Sequence, residues 1–107
     1  MKVVILGGDP RLDAVMNELI EDSGCYLFYV LCGGQSAEGL ENSAGYQWAI
    51  RNGAPVQYLI EADIEKLIDK IVQTADFLVA FNDGSQIIKR IIMKFKIAGK
   101  HGKVINV

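Results

Sequence analysis

Five times in 107 residues the chain passes through a short apolar-rich stretch: "KVVIL" (2–6), "CYLFYVLC" (25–32), "APVQYLI" (54–60), "DFLVAF" (76–81) and "KVINV" (103–107). A strand exposed on one face alternates apolar and polar residues; nearly continuous apolarity means that both faces are covered, as in a parallel sheet. Four segments with helical periodicity separate these stretches. In the first, Leu12, Val15, Met16, Leu19 and Ile20 share a stripe, with Asp9 suited to the N-cap, Pro10 to the first helical position and Gly24 to the end. A second helix is expected from about residue 38 to 52, ending at Gly53. Asp63 caps a third, with Ile64, Leu67, Ile68, Ile71, Val72 and Ala75 on one face. A fourth runs from about 86 to 98, with Ile87, Ile88, Ile91, Ile92 and Phe95 expected to face the sheet and Gly99 closing it. Strict β-α alternation with short connections requires a parallel sheet with helices on both faces. A chain of this length builds one core, so residues 1–107 form a single α/β domain.

Several function classes are disfavoured at once. Lys and Arg number 11 against 13 Asp and Glu, a net charge of -2, and nucleic-acid binding through the phosphate backbone calls for a basic excess. The two cysteines, Cys25 and Cys32, bracket one expected strand and would lie roughly 20 Å apart, beyond disulfide reach. There is no CxxC and His101 is the only histidine, so neither a metal site nor a cofactor is expected. The N-terminal "MKVVILGGDP" is broken too early for a signal peptide, and the longest apolar run is about a third of a membrane span. The expectation is a soluble, cytoplasmic protein with reduced cysteines.

Parallel α/β sheets bind ligands beyond the carboxyl ends of their strands, where the strand order reverses. Three glycine-bearing loops lead from strand to helix there: "GGDPR" (7–11), "GGQSAEG" (33–39) and "NDGS" (82–85). Glycine admits a ligand close to the backbone, and the first amides of a helix favour an anion. Glycine also serves the geometry of such turns with no ligand at all. The dinucleotide fingerprint GxGxxG is absent, no GK[ST] follows either Gly-Gly, and Gly7-Gly8 stands where a receiver domain needs acidic residues.

The stretch "VLCGGQSAEGLENSAGYQWAIRNGAPVQYL", with "ADFLVAFNDGS", resembles the SLOG superfamily, a Rossmann-like group that includes the LOG phosphoribohydrolases. The shared features are a strand ending in Gly33-Gly34, a polar loop with Gly39, a helix ending in Trp48-Ala49 and Gly53, then Pro55-Val56, and an aspartate-led strand from Asp76 to Phe81 before a second glycine loop. The resemblance implies a Rossmann-like three-layer α/β/α sandwich with a five-stranded parallel sheet. It also implies a nucleotide or nucleotide-derived ligand, held by two glycine loops and a basic residue after the first strand. Carried onto this chain, the candidate ligand contacts are Arg11, Gly33, Gly34, Ser36, Gly84 and Ser85; Gly8, Glu38 and Asp83, which stand in the same loops, complete the candidate set. LOG enzymes carry PGGxGTxxE with a catalytic glutamate. Here the stretch is "NDGSQIIKR", with Arg90 in the glutamate's place, so no catalytic residue is assigned and binding without hydrolysis is expected.

Rival readings accompany these residues. Glu38 in a first helical turn also complements the dipole, Asp83 serves the turn of "NDGS", and an exposed arginine is ordinary for Arg11. Trp48 aligns with Leu40 and Ala44 as core, and His101 falls in a turn at the far end of the sheet. A nucleotide hydrolase would need Glu38, Glu41, Asp9 or Asp83 as acid or base. Apolar pairs off the core stripes, Tyr46 with Ile50 and Met93 with Ile97, suggest a homo-oligomer interface or a pure interaction module.

Overall fold

A computed structural model describes residues 1–24 and 28–107 and places the first apolar run in strand β1 (Lys2–Leu6). Val3, Val4 and Ile5 are all buried, so both faces of β1 are covered. Chain order then gives α1 (Leu12–Ser23), β2 (Tyr29–Gly34), α2 (Ala44–Asn52), β3 (Val56–Ile60), α3 (Ile64–Thr74), β4 (Phe77–Asn82), α4 (Gln86–Ile97) and β5 (His101–Asn106). All strand pairs are parallel and the sheet order is β3-β2-β1-β4-β5. This is a Rossmann-like α/β/α sandwich. Order reverses between β1 and β4, because the chain winds outward through β2 and β3, returns, and winds the other way through β4 and β5.

The period-2 alternation of the strands divides the core into two layers. Val3, Ile5, Val30, Cys32, Val79 and Phe81 point to one face, against Leu12, Val15, Met16 and Leu19 of α1 and Trp48 and Ala49 of α2. Val4, Leu31, Leu78 and Ala80 point to the other, against Leu67, Ile68 and Ile71 of α3 and Ile88, Ile91, Ile92 and Phe95 of α4. Trp48 is a core residue. Polar ties join the helices of the second layer: Glu65 pairs with Arg90, and Asp69 with Lys94 at 2.8 Å. The Lys100 ammonium donates to the carbonyls of Val72, Gln73 and Ala75, closing the end of α3.

Four local expectations are corrected. The helix expected over 38–52 is two pieces, a 3-10 turn over Leu40–Asn42 and α2. Ser43 is extended between them, and its hydroxyl accepts the Tyr46 N–H while donating to the Leu40 carbonyl, so a new helix starts there. The strand expected over 25–32 is Tyr29–Gly34 where it is described, and residues 25–27, with Cys25, lie outside the described residues. His101 and Gly102 belong to β5, paired with Phe77 and Leu78, and are not in a turn. Ile87 is exposed, because its neighbour Ile88 takes the inward position. Among the described residues no helix is long and apolar enough to cross a membrane.

Candidate functional site

In a parallel α/β sheet the ligand crevice is expected where strand order reverses, here between the segments that follow β1 and β4. After β1, Gly7 turns the chain with φ +72, and a Cβ there would meet the Phe81 carbonyl at 2.9 Å. The β1 loop therefore lies directly on the end of β4 and on Ile88 of α4. The expected N-cap at Asp9 is corrected: α1 begins at Leu12 with Arg11 at its N-cap, and the Asp9 carboxylate instead closes the preceding turn by accepting the Arg11 N–H at 2.9 Å. The same carboxylate holds the Arg11 side chain bidentately, Nε to Oδ1 at 2.7 Å and Nη2 to Oδ2 at 3.2 Å. Asp9 is thereby held below its ordinary carboxyl range by the guanidinium and the Arg11 amide, and Arg11 is raised by the same pairing. The guanidinium stays more than half exposed, and among the described residues its Nη1 has no protein partner.

After β4 the turn is tied internally. Asn82 Oδ1 accepts the Gly84 N–H at 3.3 Å and Asp83 Oδ1 accepts the Ser85 N–H at 2.9 Å, so this oxygen of Asp83, a candidate ligand contact, is engaged in the turn, as its rival reading has it. Gly84 has φ +93 and open space where a side chain would be. Ser85 occupies the N-cap of α4 but makes no side-chain capping bond. A helix leaves its first amides without intrahelical partners. The α4 amides are thus presented beside Gly84 with no capping oxygen on them.

The third loop is built differently. Gly33 and Gly34 are strand residues, in register with Leu59 and Ile60 of β3, and neither has positive φ. Ile71 of α3 fills the space beside Gly33 and Leu40 fills the space beside Gly34. Packing alone accounts for this glycine pair. Ser36 and Glu38 follow in an exposed segment, tied down by the Gln35 side chain, which donates to the Ala62 carbonyl at 2.9 Å. Gly8 is close-packed too: a Cβ there would lie 3.0 Å from Ala44 Cβ at the start of α2.

Neither a protein-family model nor a curated protein matches this chain. The likeness to the SLOG superfamily therefore rests on the motif positions themselves, and of those the Gly33-Gly34 pair has a packing explanation.

Of the expected contacts, Arg11, Gly84 and Ser85 lie in segments flanking the point of strand reversal, and Gly8 packs behind it. Gly33 and Gly34 end β2 and Ser36 and Glu38 follow it, on the other side of β1 from the crevice. Two further polar residues at the carboxyl edge stand outside the expected contacts. Asn82 donates to Asn106 Oδ1 at 3.2 Å, joining the ends of β4 and β5. Asn82 was legible as the first residue of "NDGS"; Asn106 carried no local signal, because only strand register sets it opposite Asn82. Buried Cys32 has its thiol pushed up by burial, an effect opposed by the Ser43 hydroxyl.

Proposed function

We propose that this chain binds a nucleotide or nucleotide-derived phosphate compound in the crevice between residues 7–11 and 82–85, without chemistry on it. One observation carries the reading: the uncapped α4 N-terminus opens beside unobstructed Gly84 at the point where strand order reverses. Arg11 supports it, since a guanidinium already oriented by Asp9 loses little freedom on meeting a phosphate oxygen. The hydrolase alternative fares worse: Asp9 is held ionised by Arg11 and so is a poor general acid near neutral pH, while Asp83 is engaged by the Ser85 amide. Thermal melting against AMP, ADP, cyclic mononucleotides and NAD tests the reading. A ligand at about 100 times its Kd adds roughly 2.7 kcal/mol and raises Tm visibly. A shift in the wild type that disappears in Ser85→Asp supports the site. No shift with any compound at millimolar concentration sinks it.

A second copy of the chain is proposed as partner at the β3 edge. Tyr58 and Ile60 are 47% exposed, Ile50 is 59% exposed, and Tyr46 packs its ring on Tyr58 at 6.4 Å between centroids. They form one apolar patch beside an edge strand with no charged residue. The other candidate pair, Met93 and Ile97, is on α4 at the opposite side of the sheet, so one isologous contact does not bury both pairs.

A further inference from the structure

Among the described residues no strand pairs with the outer edge of β5, and beside it a groove of about 530 Å³ runs between this strand and α4. Ile92, Met93 and Val104 form its floor, and Met93 is 63% exposed. Lys89 and Lys96 stand on its rim. The charges of α4 are sorted by side. Arg90 and Lys94 are neutralised by Glu65 and Asp69 of α3, whereas Lys89 and Lys96 make no ion pair among the described residues, and no acidic residue lines the groove. Val104 faces α4, being in register with Ala80 of the same core layer, while Lys103 points the other way to Glu18. An uncompensated cationic rim over an apolar floor, next to an open strand edge, defines its complement.

The spacing narrows that complement. Lys89 and Lys96 are two helical turns apart, about 10.5 Å, with Met93 between them. An extended chain projects alternate residues to one side and rises roughly 3.3 Å per residue, so positions i and i+4 lie about 13 Å apart, within reach of two flexible lysines. We propose that β5 accepts a sixth strand from a partner peptide with acidic residues at i and i+4 and an aliphatic residue at i+2. The carboxylates meet Lys89 and Lys96, the aliphatic side chain rests on Met93 and Val104, and the partner backbone pairs with the free edge of β5. One end of the groove adjoins the crevice, where Asn82 lines it and Lys89 lies in the first turn of α4, but the inference rests on the part further along, between Met93, Lys96 and Val104, and does not depend on the crevice reading.

The test is an amide NMR titration with the capped peptide TETVTET, the charge-swapped TKTVTKT, and TETVTET carrying an N-methylated valine. The expected result is saturable shifts along residues 101–106 and the outer face of α4 with TETVTET. TKTVTKT should bind at least about tenfold more weakly, and N-methylation should weaken binding by removing a strand hydrogen bond. The double variant Lys89→Glu/Lys96→Glu alters only surface charges, and its own spectrum reports whether it folds; it should reverse the preference and bind TKTVTKT more tightly. The proposal is overturned if shifts do not saturate at several millimolar peptide, if the double variant keeps the wild-type preference, if glutarate alone reproduces the shifts, or if they map to residues 82–85 instead.

Discussion

A methyl group at residue 34 would lie 2.7 Å from Leu40 Cδ2, and one at residue 33 would lie 2.9 Å from Ile71 Cδ1. Gly34→Ala should therefore cost about 1–3 kcal/mol as overpacking, seen in chemical denaturation. Adding Leu40→Ala should give a double variant less destabilised than the sum of the singles, because the trimmed side chain makes room. Strict additivity would show that Leu40 is not what limits residue 34. The Asp9–Arg11 pair permits a separate test. Asp9 has a depressed folded pKa, so its pairing contributes stability above its ordinary value, 3.8, and that contribution is lost as pH falls through the lower folded value. In Arg11→Gln, carbon-detected NMR titration should find the Asp9 pKa returned toward 3.8. An unchanged Asp9 pKa would mean that the guanidinium does not set it.

Two serines at helix starts behave oppositely at the scale of the element. Ser43 caps α2 by accepting the Tyr46 N–H at 3.2 Å, whereas Ser85 makes no capping bond to α4. Ser43→Ala should destabilise by about 1 kcal/mol and Ser85→Ala by much less, measured by urea unfolding. Ser85→Asp adds the missing cap and a charge favourable to the helix dipole, so it should stabilise the free protein by about 0.5–1 kcal/mol. It should also weaken any anion bound there, because the carboxylate competes for the same amides. Stabilisation with undiminished nucleotide response would place the ligand elsewhere. Stability gained at the expense of binding is the mark of a helix end kept open for a ligand.

The two edges of the sheet differ at the scale of the whole molecule. β3 offers the uncharged "VQYLI" beside Tyr46 and Ile50; β5 offers its backbone beside a lysine-rimmed groove. An uncharged edge suits a second copy of the chain, because like meets like without repulsion, while a cationic one resists self-pairing and suits an acidic partner. Self-association through β3 should make Tm rise with protein concentration, and Tyr58→Lys should abolish that dependence by burying a charge at the contact. A concentration-independent Tm in the wild type would leave β3 an exposed edge of a monomer.

By itself the sequence determined the class of fold, because unbroken apolar runs such as "KVVIL" and stripes such as Leu67-Ile68-Ile71 are tolerated only where both sheet faces are covered. It also showed the glycine loops, since glycine is visible wherever it stands. What a given glycine is for was decided by tertiary structure alone. Gly84 borders open space and Gly34 borders Leu40, a difference that rests on which distant side chain arrives there. Strand order likewise depends on long-range pairing. The reversal between β1 and β4 draws the segments around Arg11 and Ser85 together and leaves Ser36 and Glu38 beyond β1, and no local pattern encodes that choice. Local physics reaches a few residues along the chain; the site is made by residues more than seventy apart.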